Sequence, residues 1–289
     1  MILRRTPDFM FENNLQQWLE LAQKEASKGE LPSYIPLLAQ VDPQAIAIAI
    51  QRINGDLTMA GNVTKSFPLM SVIKPFLLLY LLENQGGDAV FQMVDAEPTL
   101  EPFNKIPDGK PKNPMVNSGA IALSSLLASC ETLQNWLNQK SGANFHLDFI
   151  MLDSVRSIAN RRNLAIAHQL NSLGIISNPS QALDIYEKIC CLCGSVQDLA
   201  KIGTLLVDTK RSPYILLVLE IMTKCGMYEA SAEFAKDIGL PSKSSVSGAL
   251  LSIIADEAAI ACYSPALDAI GNSVGGLFLM RQLKYMGLS

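Results

Sequence analysis

Histidine is nearly missing, with two in 289 residues, His146 and His168. A Ser-His-Asp triad needs an imidazole beside its nucleophile, and neither histidine stands in a nucleophile elbow. His168 continues an apolar pattern and reads as a helix residue. Any acyl chemistry must then move its protons through lysine or tyrosine. Charge is also sparse: 17% of residues are charged and 49% apolar, which excludes a disordered chain. The formal net charge is −4 and the 23 Lys and Arg are spread out, so no basic field is offered to nucleic acid. Long apolar runs are absent, since Phe76–Leu82 and Ile215–Leu219 fall far short of a membrane span. Met1–Asp8 lacks an apolar core and a small-residue cleavage site, which predicts no signal peptide. The six cysteines are Cys130, Cys190, Cys191, Cys193, Cys225 and Cys262; three crowd into one predicted helix and none has zinc spacing with a histidine. They read as buried, reduced thiols of a cytoplasmic protein.

What is present is enough chain for one large domain or two modest ones sharing a core. Residues 8–27 read as an amphipathic helix, with Phe11, Leu15, Trp18, Leu19 and Ala22 at helical spacing. The 45–53 run alternates large and small apolar residues, and Asn54-Gly55 then predicts a hairpin with 56–61. Residues 95–113 are proline-rich and loop-like. A helix is expected from Asn117 to near Cys130, and others over 131–140, 147–173, 180–193, 196–208 and 213–224. A second hairpin is read about Asp256-Glu257, from apolar runs over 247–255 and 258–263, followed by a last helix from Ser273 to Met286. Strands at both ends with helices between predict an α+β fold: an antiparallel sheet built from 1–87 and 226–289, and a helical subdomain over 88–225.

The chemistry-bearing stretch is Ser71-Val72-Ile73-Lys74, followed by the run Phe76–Leu82. Positions i and i+3 share a helical face. A hydroxyl needs a neighbour to take its proton, and a desolvated lysine is less readily charged and can do so. Ser-x-x-Lys is the pattern of the penicillin-recognising serine enzymes. Alone it is weak, because a Ser near a helix start is often a cap and a Lys there is often solvated.

Further blocks strengthen it. Tyr34-Ile35-Pro36, the 111–121 stretch around Asn113-Pro114-Met115-Val116-Asn117, Arg162-Asn163-Leu164-Ala165, Cys225-Gly226-Met227-Tyr228, Gly239-Leu240-Pro241, Ser264–Asp268 and Gly271–Val274 follow one another in order. With these the chain, from about Gly29 to Leu283, resembles the serine-dependent glutaminases, enzymes of the β-lactamase/DD-peptidase-like fold. The resemblance implies that Ser71 is the nucleophile, Lys74 its base and Tyr228 a proton relay. It implies an oxyanion hole from the N–H groups of Ser71 and Val246. It makes Tyr34, Asn117, Asn163 and Tyr186 readers of the amino-acid end of glutamine. It requires no metal or cofactor, and it implies a homodimer or larger homo-oligomer. Read without it, Asn117 is equally a helix cap, Tyr186 a core aromatic and Tyr228 a buried turn residue.

Four positions depart from the family pattern. Seven residues before Asn163, where the family has a glutamate for the substrate's α-ammonium, stands Arg156. At about 4 Å and an effective dielectric near 20, an ion pair gains roughly 4 kcal/mol and a like-charge pair loses as much. The reversal argues against free L-glutamine in the usual pose, unless Asp153 compensates or simply neutralises Arg156. Met70 replaces the usual glutamine before the nucleophile, Ser245 replaces a glycine after Lys243-Ser244, and Pro75 removes an N–H that would bond back to Ser71. The expectation is a glutaminase-like amidohydrolase acting on a small amide, with specificity altered by Arg156, Met70 and Ser245. The alternatives are an acyltransferase using the same acyl-serine, or an inactive binding protein.

Overall fold

The computed structural model describes residues 8–99, 109–158 and 160–285, the side chains of 8–13, 158 and 160 excepted. The leader reading over Met1–Pro7, the Phe11 side chain, the middle of the proline-rich loop and Met286 lie outside these residues. In chain order come α1 (Asp8–Ala26), β1 (Ala47–Arg52), β2 (Leu57–Gly61), β3 (Phe67–Pro68), α2 (Lys74–Gln85), α3 (Gly87–Met93), α4 (Asn117–Ser124) and α5 (Cys130–Ser141). Then follow β4 (His146–Leu147), α6 (Phe149–Ile158), α7 (Asn160–Ser172), α8 (Pro179–Cys190), β5 (Leu192–Gly194), α9 (Val196–Gly203) and α10 (Ile215–Cys225). The chain closes with α11 (Ser231–Asp237), β6 (Ser242–Ser244), β7 (Ala249–Ile254), β8 (Ala258–Tyr263) and α12 (Val274–Tyr285).

The fold is α+β. Both chain ends build one antiparallel sheet in the order β2-β1-β8-β7-β6. Alternation along β1 sets its two faces. The bulky Ile46, Ile48 and Ile50 pack with Leu15, Trp18 and Leu19 of α1 and with Leu279, Met280 and Leu283 of α12. Ala47 and Ala49 turn to the opposite face, into the main core, and these small side chains let α9 approach the sheet closely. A β-carbon at Gly203 of α9 would stand 2.6 Å from that of Ala259. The strands β7 and β8 are buried along their whole length, as expected of a sheet covered on both faces.

The α2 helix is apolar on nearly every side, with Phe76, Leu77, Leu78, Leu79, Leu81 and Leu82 all buried, which identifies it as a central helix. The main core takes residues from the sheet and from the helices of 88–225 together, so the two parts share one interior. Among the described residues no helix is long and apolar enough to cross a membrane.

Several elements differ from expectation. The 180–193 helix stops at Cys190, and Leu192–Gly194 is a strand between β3 and β4, so Cys193 is not helical. The helix from Asn117 ends at Ser124, where the Ser124 and Ser125 hydroxyls donate back to the carbonyls of Ala120 and Ala122. Such back-bonding competes with the helical ladder. The 147–173 helix is described as α6 and α7, on either side of residue 159. After α9 the chain tightens into a 3-10 turn over Thr204–Leu206. His168 lies on α7 but is exposed, as is His146.

Candidate active site

Ser71 sits in a 3-10 turn, Met70–Ile73, that leads directly into α2. Pro75 lies in the first turn of α2 and has no N–H to send back to Ser71. The Ser71 carbonyl instead accepts from the Lys74 N–H, the i to i+3 bond of a 3-10 helix. Side chains three apart eclipse in that geometry, so Ser71 and Lys74 stack on one side of the turn. Met70 holds φ 47°, a left-handed conformation that a methionine adopts only under constraint. Its side chain is buried in the main core.

Lys74 is 1% exposed, with no carboxylate against it among the described residues. Burial pulls its pKa down to about 8, with a small opposing effect from the nearby Cys190. Its amine donates to the Met115 carbonyl at 2.9 Å and to Asn117 Oδ1 at 2.8 Å. Asn117 is the hub of the polar floor. Its Oδ1 also accepts from the Tyr186 hydroxyl at 3.0 Å, and its Nδ2 donates to Asn163 Oδ1 at 3.2 Å. The side chain is therefore engaged across three elements and does not cap α4, whose flanking Val116 has no side-chain cap. Tyr186 is buried, but its hydroxyl points at this hub rather than into the core.

Tyr228 arrives from the turn after α10, with φ 54°. Its hydroxyl contacts Ser71 and lies 3.3 Å from the Ser244 carbonyl. Burial pushes the phenol well above its usual range, and the Ser71 contact only partly offsets this, so it is a neutral donor at ordinary pH. Gly226 permits the approach, because a β-carbon there would fall 1.8 Å from the Ser242 carbonyl. Tyr34, half exposed on its loop, is close enough to Tyr228 for the two phenols to interact electrostatically.

The edge strand β6 packs against the Ser71 turn. The Ser245 hydroxyl donates to the Leu69 carbonyl at 2.9 Å and pairs with Ser247 Oγ at 3.0 Å. Ser245 is fully buried, so it ties the strand end to the Ser71 turn and its hydroxyl is already engaged. Around the turn, the Val72 N–H donates to Leu69, the Lys74 N–H to Ser71 and the Gly248 N–H to Ser245. The N–H groups of Ser71 and Val246 take no part in these bonds.

Arg156 does not pair with Asp153, which is exposed. Its guanidinium reaches α8, where Nη2 donates to Asp184 at 2.6 Å and Nε to Glu187 at 3.0 Å. Neither pure solvent exposure nor an uncompensated positive charge in the pocket describes it.

Two residues outside the sequence-based assignment join the site. Lys243, fully buried, places its amine 4.5 Å above the centre of the Tyr228 ring and donates to the Gly226 and Ser244 carbonyls at 3.0 and 2.7 Å. Burial, reinforced by Lys74, pulls its pKa well down. Cys190 lies beside Lys74 and Tyr186, with burial pushing its thiol up to about 12. The lysine stood in the Lys243-Ser244-Ser245 block that the sequence reading singled out for Ser245; the cysteine carried no such signal. Among the described residues no group of three His, Cys, Asp or Glu is assembled to hold a metal. A cavity of about 500 Å³ lined in part by Gln92, Ser125, Asn178 and Gln181 is separate and shares none of these residues.

The family model described as Glutaminase matches residues 29–289. A glutaminase of Synechocystis sp. is 39% identical over 285 residues, covering 93% of this chain and 87% of the relative. Glutaminase 2 of Bacillus subtilis is 33% identical, covering 95% and 96%. Among solved structures, the native form of Mglu superposes with a TM-score of 0.90 at 28% identity, covering 99% of this chain and 74% of Mglu. A probable glutaminase from Bacillus subtilis, complexed with 6-diazo-5-oxo-L-norleucine, gives 0.87 at 27% identity, covering 100% and 98%. These neighbours share the serine β-lactamase-like fold.

Proposed function

The chain belongs to the glutaminase family, and on that premise we propose that it is a serine amidohydrolase that cleaves the side-chain carboxamide of L-glutamine or a close analogue. The observations that support this reading are the Tyr228 hydroxyl against Ser71 and, three residues on from Ser71, a buried Lys74 bonded to Asn117, which also pairs with Asn163 and Tyr186.

The Lys74 contacts fit a general base. A neutral amine has two N–H bonds and one lone pair. Met115 and Asn117 receive the two N–H bonds, which leaves the lone pair for the Ser71 proton. With a pKa of about 8, about a tenth of the amine is neutral at pH 7, rising to half at pH 8. Ser71 Oγ attacks the carboxamide carbon as Lys74 takes its proton. The N–H groups of Ser71 and Val246 hold the developing oxyanion. Tyr228, kept neutral by burial, gives its proton to the departing nitrogen and is reprotonated from Lys74. Ammonia leaves, and water cleaves the acyl-serine ester to give the acid and restore Ser71.

Arg156 is less of an obstacle to glutamine than its charge suggests, because two carboxylates on α8 already compensate it. Release of ammonia from L-glutamine and a panel of ω-amides tests the reading, with Ser71→Ala as control. Turnover of none of them would overturn it. Self-association is proposed as well, supported by exposed Phe149 and Ile150 side by side at the start of α6.

A further inference from the structure

The cavity of about 500 Å³ that stands apart from Ser71 has the size of a small-molecule pocket. Its walls are α3, the end of α4, the link between α7 and α8, and the first turn of α8. Among the described residues no charged side chain lines it. Met93 and Ile175 give it an apolar side, and Gln92, Ser125, Asn178 and Gln181 a polar one. A charged guest would leave water without meeting a counter-charge, so an uncharged guest is favoured.

Hydrogen bonds within the wall define what that guest must offer. The Gln181 N–H donates to Asn178 Oδ1 at 3.0 Å, and Gln181 Oε1 accepts from Asn178 Nδ2 at 3.3 Å. The Ser125 hydroxyl donates to the Ala122 carbonyl at 2.6 Å. This leaves the Gln181 side-chain N–H bonds to donate and the Ser125 oxygen to accept, and Gln92 adds a second amide. Side-chain amides make two-point pairs with a donor set beside an acceptor, as they do with the edge of a nucleobase. A flat ring carrying such an edge matches both sides of the cavity.

The same walls lead to Lys74. The α4 helix runs from Asn117 to the cavity, α8 runs from the cavity to Tyr186, and the two helices pack together. Their site ends meet in the bond between the Tyr186 hydroxyl and Asn117. Beyond α3, the N–H groups of Asp95 and Glu97 donate to the Pro111 and Lys112 carbonyls, and the Asn113 amide donates to the Glu97 carbonyl. The exit of α3 is thereby fastened to the segment whose Met115 carbonyl receives Lys74.

We propose that this cavity binds an uncharged heterocycle with a nucleobase-like donor–acceptor edge, and that the bound ligand acts as an effector by bracing α4 and α8. Neither the binding nor its test depends on the amidohydrolase reading.

The test is calorimetric titration with two uncharged probes, uracil and adenosine, and their anionic counterparts, orotate and AMP. At least one uncharged probe is expected to bind, with its anionic counterpart at least about tenfold weaker. Gln181→Leu, at an exposed position, removes the amide and should weaken binding by about tenfold, the order of one hydrogen bond. Ala89→Phe fills the cavity from α3, on the face it shares with Gln92 and Met93, and should abolish binding. Circular dichroism checks that both variants fold. With the probe bound, amide hydrogen exchange over 117–124 and 181–190 should slow in the wild type and not in Ala89→Phe. Binding of neither uncharged probe, equal binding of the anionic counterparts, or unchanged binding in both variants overturns the site. Binding without slowed exchange overturns the effector role. Ammonia release is recorded separately, so failure of the amidase reading is seen apart from failure of this one.

Discussion

The Lys74 amine lies 2.8 Å from the Asn117 side-chain oxygen, across 43 residues of sequence. The contact joins the first turn of α2 to the first turn of α4 and, in the proposed mechanism, leaves the lone pair of the amine for Ser71. Asn117 thus holds the proposed base while it builds the floor that the Tyr186 and Asn163 side chains complete.

Removing the base isolates its role. Lys74→Ala should reduce kcat by about 10²–10⁴-fold, the usual contribution of general base catalysis. Lys74→Arg should fail to rescue, because a guanidinium stays protonated. Steady-state ammonia release measures both.

The pH dependence follows from the same amine. Burial lowers its pKa to about 8, so the protonated form, which the proposed mechanism makes inactive, dominates below that value. The expected kcat/KM rises tenfold per pH unit below 8 and levels above it. A profile flat between pH 6 and 9 would assign the base elsewhere.

Tyr228→Phe keeps the ring under Lys243 and removes only the hydroxyl. The expected result is a fall in kcat of about 10²–10⁴-fold with a small change in KM. A KM effect alone would make the phenol a substrate contact.

Asn117→Ala leaves a donor on Lys74 and the Tyr186 hydroxyl without their acceptor in a buried site. The expected loss of stability is about 1–3 kcal/mol, read as a lower midpoint in urea, together with reduced activity. Asn117→Asp would replace the neutral hub by a charge and should raise the Lys74 pKa, moving the pH profile upward.

Much of the architecture could be read from local pattern. Asn54-Gly55 specifies a tight turn, and Gly55 indeed has φ 97°. The Ile/Ala alternation in β1 separates the two faces of the sheet, and Ser71, Lys74, Asn117 and Tyr228 stood in recognisable blocks. What could not be read depends on distant partners. Leu192–Gly194 follows a helix and has no strand signal of its own; Phe67–Pro68 and His146–Leu147 make it a strand by pairing on either side. Arg156 looked like an unbalanced charge because Asp184 and Glu187 lie 28 and 31 residues further on. Asp153, its sequence neighbour, instead faces solvent. Ser245 read as a change in the pocket wall, yet its hydroxyl reaches the Leu69 carbonyl, 176 residues away in sequence. Pro75 was different: its missing N–H pointed to a tightened or irregular first turn, and a 3-10 turn over Met70–Ile73 is what precedes α2.

Covalent capture at Ser71 is the most direct measurement. Incubation with 6-diazo-5-oxo-L-norleucine, an electrophilic relative of glutamine, followed by intact-mass and peptide analysis, should give one adduct per chain on the peptide containing Ser71. Ser71→Ala should give none. Ammonia release from glutamine by Ser71→Ala at the wild-type rate, or an adduct carried by another residue, would contradict the assignment of Ser71 as nucleophile.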